Sequence, residues 1–198
     1  MRNPRMSSLP ESRFSPEDQR AMLELARAAI LANFAGQPQI AVPDSPILGL
    51  RRGVFVTIHV AGKLRGCIGV VYATETLRGG IVHCAQGAAF HDMRFPSLRP
   101  DEVGDLSIEI SVLSELQPIA PEQIIIGAHG LYVISGERHG LLLPQVATEH
   151  HLSGEQFLQE TCRKAGLPRD AWQDPNIQIL GFTCEIFSDH GSAAVADS

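Results

Sequence analysis

The stretch Leu64-Arg65-Gly66-Cys67-Ile68-Gly69 holds the residue types best suited to chemistry. It places a thiol two positions from a guanidinium, between two glycines. Residues i and i+2 of a strand share a face, so Arg65 and Cys67 can point the same way. A nearby guanidinium favours the thiolate, the form that attacks an electrophile. Gly66 and Gly69 weaken a strand unless its backbone bulges or something approaches it closely. On this reading Cys67 is a nucleophile or ligand contact, Arg65 binds an anion, and Gly66, Ile68 and Gly69 line the same site. The same residues also fit a small core thiol whose glycines admit a neighbouring helix.

Further along, Arg94 in Asp92-Met93-Arg94-Phe95 can clamp a carboxylate or phosphate beside Asp92, or pair with Asp92 and tie down its own loop. Glu109 sits on the polar side of an otherwise apolar strand, where it either lines a cleft and moves protons or faces water. Glu185 has the same two readings. His129, in Ala128-His129-Gly130, can serve as general base for Cys67, contact a substrate or be structural. Gln145 offers a ligand-binding amide, and His150-His151 reads as a surface turn. No His/Asp/Glu spacing makes a metal site. The four cysteines, Cys67, Cys84, Cys162 and Cys184, contain no CxxC pair, which argues against zinc or a thioredoxin-like motif. Walker, GxGxxG, HExxH and GxSxG signatures are missing, which removes the common nucleotide-hydrolysing, Rossmann, zincin and α/β-hydrolase readings.

The elements that must position these groups can be read from periodicity. Ser15-Pro16-Glu17-Asp18 opens a helix whose apolar stripe runs Leu23, Ala26, Ile30, Leu31 and Phe34, and Gly36 closes it. Residues 37–50 form a connecting loop. Val54, Val56, Ile58 and Val60 alternate with Phe55, Thr57 and His59, turn at Ala61-Gly62-Lys63 and return through residues 64–70. A tightly packed helix spans Thr76 to Phe90, and Leu106, Ile108, Ile110 and Val112 mark another strand. A strand at 131–134, a turn over Gly136 to Gly140 and a return at 141–143 follow. Ser153 and Gln156 form a capping box for a helix that runs through Ala165 and stops at Gly166. Residues 177–187 read as one last strand, and the tail from Asp189 as flexible.

Gly53-Val54-Phe55-Val56 matches Gly130-Leu131-Tyr132-Val133, and eleven residues beyond each Gly stands a Leu, Leu64 and Leu141. Each copy continues with a helical pattern and a strand, Ile108-Glu109-Ile110 pairing with Cys184-Glu185-Ile186. The chain therefore reads as a duplicated hairpin–helix–strand unit.

With 198 residues and 44% of them apolar, the chain is a single folded domain or two lobes on one core. Its formal charge of −6 divides unevenly: residues 51–100 hold seven basic and two acidic side chains, residues 101–198 four and fifteen. The acidic balance argues against a nucleic-acid partner. No run is long enough for a membrane span, and residues 1–18 lack the apolar core of a secretory signal, so reduced thiols in the cytoplasm are expected.

Seven segments together resemble one family: VFVTI (54–58), LRGCIG (64–69), AAFHDMRFPSL (88–98), IEISVLS (108–114), IGAHGL (126–131), GLLLPQVA (140–147) and CRKAGLP (162–168). In that order and spacing they resemble the AMMECR-type domain, whose bacterial and archaeal members are called AmmeMemoRadiSam system protein A. The resemblance spans about residues 15–188, with flexible ends at 1–14 and 189–198. It implies an α+β fold of two unequal lobes with mainly antiparallel sheets flanked by helices. The larger lobe would come from both terminal regions, the smaller would carry the 64–69 strand, and a ligand cleft would lie between them. It implies Memo-like and radical S-adenosylmethionine proteins as partners, names no cofactor and fixes no reaction. The pair His150-His151 departs from the family's usual Gly-Trp-like pair. Two functions follow as expectations: an enzyme or enzyme subunit binding a small anionic or polar ligand, or a non-catalytic interaction module.

Overall fold

Ser15 starts the first helix as its hydroxyl allows. In the computed structural model, which describes residues 14–36 and 45–189, the Asp18 N–H donates to Ser15 Oγ at 3.2 Å, and the Ser15 N–H donates back to Asp18 Oδ2 at 3.2 Å. This capping box opens α1 (Pro16–Ala35), which ends at Gly36 in the left-handed region with φ 60°. The expected flexible ends lie outside the described residues apart from Phe14 and Asp189, and both of these are anchored. Phe14 is buried edge-on to Phe187, ring centroids 6.4 Å apart. Asp189 accepts from the Ile108 N–H at 2.9 Å and pairs with Arg27. Of the expected loop 37–50, residues 37–44 lie outside the described residues, and Pro46–Gly49 forms a short 3-10 turn that buries Leu48.

The first hairpin is β1 (Val54–Val60) and β2 (Lys63–Val70), joined by Ala61 and Gly62 at φ 49° and 76°. Two positive φ values in a two-residue loop match the twist of the strands they join. α2 (Leu77–Gln86) continues into a π-helical turn, Gly87–His91, and β3 (Leu106–Leu113) follows. The second half contains β4 (Gln117–Pro118), β5 (Gly130–Ser135), β6 (Arg138–Leu142), α3 (Pro144–Glu149), α4 (Gly154–Lys164), β7 (Gln178–Phe182) and β8 (Cys184–Ser188). These strands form two antiparallel four-stranded sheets, β2-β1-β3-β8 and β4-β7-β5-β6. The fold is α+β, as expected.

Three expectations need correction. Residues 177–187 are two strands in different sheets, because the chain crosses over at Thr183. There Ser114 N–H donates to the Thr183 carbonyl at 2.9 Å, and Thr183 N–H donates to Ser114 Oγ at 3.0 Å. The turn expected over Gly136 to Gly140 is shorter, since β6 already begins at Arg138. And β2 shares a sheet with β8 beneath α1, so the 64–69 strand belongs to the lobe that both terminal regions build.

The duplication survives as topology. The β1–β2 hairpin, α2 and β3 give strand order β2-β1-β3; the β5–β6 hairpin, α4 and β7 give β6-β5-β7. The third strand of the second unit is therefore β7. Thr57 pairs with Cys67 and Glu109, while Ile134 pairs with His139 and Gln178. The counterpart of Glu109 is Gln178 rather than Glu185. Glu185 sits on β8 opposite Val112, and its Oε2 accepts from the Phe14 N–H at 3.3 Å.

Each sheet buries one face under its helices. Val54, Val56, Ile58, Ile108 and Ile110 pack with Met22, Leu25, Ile30, Leu77 and Ile81 in the first core. Full burial stabilises each such side chain by roughly 1.5–3 kcal/mol. Leu131, Phe157 and Leu158 form the second core, with Val133 and Cys162 beside it. Leu113, Tyr132 and Phe182, with Phe55, Ile134, Leu180 and Cys184, join the two sheets. Among the described residues, no helix is long and apolar enough to cross a membrane.

Candidate functional site

Alternation along β1 sends Val54, Val56 and Ile58 toward the helices and Phe55, Thr57 and His59 to the opposite face. On that opposite face Cys67, Thr57 and Glu109 stand side by side across β2, β1 and β3, and Ser188 of β8 comes next. Neighbours of this kind have Cβ atoms roughly 4.5–5.5 Å apart. The Thr57 hydroxyl donates to Cys67 Sγ at 3.3 Å. His59, two residues beyond Thr57, pairs with Ser107.

Glu109 is partly buried; its backbone belongs to the ladder with Thr57 and Ser188, and its carboxylate has no hydrogen bond or ion pair among the described residues. Burial raises its carboxyl above the ordinary glutamate range. The His59 charge opposes that rise, and Glu149 at the end of α3 reinforces it. The other three cysteines behave as core groups. Burial pushes the Cys84 and Cys184 thiols up to about 12 and raises that of Cys162.

Arg65 does not share this row. The β1–β2 register shifts between Ile58 and His59, so that Ile58 pairs with Gly66 and His59 with Leu64. The bulge breaks the simple alternation and re-aims the Arg65 side chain. Its guanidinium donates to Glu102 at 3.3 and 3.2 Å, to the Ser97 carbonyl at 3.0 Å and to the Pro96 carbonyl.

Arg94 is also occupied. Its Nε and Nη2 donate to Asp92 at 2.9 and 2.7 Å, Nη2 donates to the Cys67 carbonyl at 2.9 Å, and its guanidinium lies 5.5 Å from the Phe95 ring centre. Asp92 is buried, and its Oδ2 accepts from the Cys67 N–H at 2.9 Å. Hydrogen bonds from Arg94 hold the Asp92 carboxyl well below the usual carboxylate range. These bonds are the ones expected where Arg94 pairs with Asp92 and ties its own loop, while its side chain stays 60% exposed.

The glycines are explained by packing. A Cβ on Gly66 would lie 2.0 Å from the Ala88 carbonyl oxygen, and one on Gly69 2.1 Å from Cδ1 of Phe55. Ile68 packs on the helix side against Gly87. All three contact the protein itself.

His129 is not brought to Cys67. Its Nδ1 accepts from the Ile125 N–H at 3.1 Å, and it lines a surface depression with Ser114 and Thr183. Ser114 lies five residues along the chain from Glu109, about 16 Å at strand spacing. Gln145 has its Oε1 buried without a hydrogen-bond partner among the described residues. It precedes Glu149 by four residues on α3, which puts both on one helix face.

The geometry thus assembles Cys67 and Glu109, with Glu149 near Glu109, leaves out Arg65 and His129, and brings Arg94 to the backbone carbonyl of Cys67. Thr57 and His59 are members that sequence reasoning passed over. Alternation along β1 marked them as one face, but the two-residue turn at Ala61-Gly62 by itself sets residue 57 opposite residue 66, and it is the bulge that brings Cys67 opposite Thr57.

Comparison with known proteins agrees with the fold. The AMMECR1 family profile matches residues 23–187. A protein of Methanothermobacter thermautotrophicus is 39% identical over 186 residues, covering 89% of this chain and 97% of its own. One of Aquifex aeolicus is 38% identical, covering 87% and 93%. The crystal structure of the uncharacterized protein PH0010 from Pyrococcus horikoshii superposes with a TM-score of 0.78 at 37% identity, over 86% of this chain and 90% of that one. The chain belongs to the AMMECR1 family.

Proposed function

We propose that this protein binds a small polar ligand over the open end of the first sheet and acts on it as an enzyme or enzyme subunit in the cytoplasm. The observation that carries this reading is the row Cys67–Thr57–Glu109. Cys67 supplies a nucleophile or contact thiol that already accepts a hydroxyl hydrogen bond. Glu109, raised by burial and unpartnered among the described residues, is suited to proton transfer, with His59 beside it. The guanidinium groups of Arg65 and Arg94 are engaged by protein acceptors, which favours a polar ligand over an anion at this place. Glu149, whose charge acts on Glu109, adds an acceptor from α3.

The test is thermal-shift screening of small amines, alcohols, carboxylates and phosphates, combined with iodoacetamide protection of Cys67 followed by peptide mass spectrometry. A compound that stabilises the protein should also protect Cys67, and both effects should be lost in Glu109→Gln. A Cys67→Ser, Glu109→Gln double variant that keeps full binding overturns the assignment.

The second reading, a non-catalytic module docking Memo-like and radical S-adenosylmethionine proteins, draws on Met93, fully exposed at the tip of the 92–95 turn, and on Leu64, 46% exposed. It expects co-purification that survives Cys67→Ala and fails with Met93→Asp.

A further inference from the structure

We propose that Asp92 and Arg94 are a positioning pair for Cys67, standing in for the strand that the outer edge of β2 lacks. The proposal rests on the reading of Cys67 as a reactive thiol.

β2 is an edge strand. In an antiparallel ladder a residue directs both its N–H and its C=O toward one neighbour, and on an edge strand every second residue directs them outward. Cys67 is such a residue. Its N–H donates to Asp92 Oδ2 at 2.9 Å, and its carbonyl accepts from Arg94 Nη2 at 2.9 Å. Those are the acceptor and donor that a fifth strand would present. The two side chains are locked to each other by Nη2–Oδ2 at 2.7 Å and Nε–Oδ1 at 2.9 Å, and the Arg94 N–H adds a third bond to Oδ1 at 3.1 Å. A closed ring of hydrogen bonds therefore grips the one peptide whose side chain is the thiol.

The local fold delivers the pair. α2 widens into the π-helical turn Gly87–His91, a form often found at functional sites. Its approach to β2 depends on Gly66, above which the Ala88 carbonyl sits, and on Gly87, where an added Cβ would come 3.1 Å from Ile68. Leu98 N–H donates to the Ala89 carbonyl at 2.7 Å and fixes the far side of the turn. The Asp92 side chain is only 4% exposed, whereas that of Arg94 is 60% exposed. One partner is built into the fold and the other lies over it from the solvent side. Because the two charges cancel, removing either leaves the other uncompensated beside the thiol.

The opposed charges give a readout that a merely structural clamp would not. The experiment is the pH dependence of Cys67 alkylation by iodoacetamide, followed by peptide mass spectrometry on the full chain. It compares wild type with Asp92→Asn, Arg94→Gln, Arg94→Lys and, as a control beside them, Met93→Ala. Asp92→Asn should move the midpoint down and Arg94→Gln should move it up, each changing the rate at fixed pH by roughly 3- to 10-fold. Arg94→Lys should restore most of the wild-type profile, and Met93→Ala should leave it unchanged. Should the buried Asp92 variant fail to fold, the exposed Arg94 pair still decides. Arg94→Gln and Arg94→Lys profiles that both superpose on wild type overturn the proposal, as does a shift of Asp92→Asn and Arg94→Gln in the same direction. A wild-type Cys67 that is inert across the pH range overturns the underlying reading instead, and with it the need for a positioning pair.

Discussion

Where the first unit sets Cys67, Thr57 and Glu109 side by side, the second sets His139, Ile134 and Gln178. The strand order follows one plan, and the contrast comes from the side chains and from the β1–β2 bulge, which the unbroken β5–β6 register lacks. Ile134 packs with Leu113, Tyr132 and Phe182 in the cluster that joins the sheets, and the His139 ring lies 5.8 Å from Tyr132. The second row holds the two halves together. The first row, further along the same interface, keeps a thiol, a hydroxyl and a carboxylate partly exposed. Both units do share one packing device. Each return strand carries a glycine where the end of its own helix crosses: Gly66 beneath the Ala88 carbonyl, and Gly140, whose added Cβ would lie 2.4 Å from the Ala165 nitrogen. The backbone packing of the unit is thus common, and the row of side chains is free to diverge.

Substituting these two glycines should produce the largest effects. In each the obstacle is backbone, which cannot swing aside as a side chain can. Gly66→Ala and Gly140→Ala should each destabilise by roughly 1–3 kcal/mol or more, read from urea unfolding. If only one of them does so, the device is not shared and the two units are alike in topology alone.

Exchanging residues between the rows sharpens the contrast. Ile134→Thr removes apolar volume and adds a hydroxyl within the joining cluster, at a cost of about 1–3 kcal/mol. Thr57→Val, at the open row, should change stability by no more than about 1 kcal/mol. It should instead alter the rate of Cys67 alkylation, because the hydroxyl bonded to Sγ is gone. Equal destabilisation by both would mean the first row is packing after all. Within the wild type, iodoacetamide should label Cys67 at least about tenfold faster than Cys84 or Cys162, both 0% exposed.

How much of this was legible in the chain depends on the range over which each feature is decided. Ser15 with Asp18, and Ser153 with Gln156, mark helix starts through contacts three residues apart, so local spacing reveals them. Alternation and the Ala61-Gly62 turn likewise reveal the first hairpin, whereas the bulge between Ile58 and His59 decides that Cys67, rather than Gly66, stands opposite Thr57. The crossover at Thr183 is different. Residues 177–187 alternate without a break, and what divides them is Ser114, some seventy residues away. Arg65 eluded parity because one bulge, set by pairing with β1, redirects it to Glu102. The counterpart of Glu109 was misplaced for a related reason: matching Cys-Glu-Ile to Ile-Glu-Ile follows residue identity, whereas pairing with Ile134 selects Gln178. His129 shows the same limit, since distance from Cys67 follows from how the sheets stack.

Glu109→Gln is the subtlest test of the comparison, because it gives the first row the amide that the second already carries in Gln178. Burial raises the Glu109 carboxyl above its ordinary range, against the charge of His59 and with that of Glu149. Below the ordinary glutamate range the folded and unfolded chains both hold the proton, and the two proteins should differ little. As pH rises, the unfolded chain loses its proton first, so wild-type stability falls relative to Glu109→Gln until the folded carboxyl ionises as well. The variant should therefore melt a few degrees above wild type at neutral pH, with the gap closing on acidification through the window between the ordinary and the raised value. His59→Ala in the wild-type background should widen the gap and Glu149→Gln should narrow it, since those are the charges set against and with the rise. A gap that does not change with pH would mean that Glu109 is well solvated, and that the polar row differs from its counterpart in composition but not in environment.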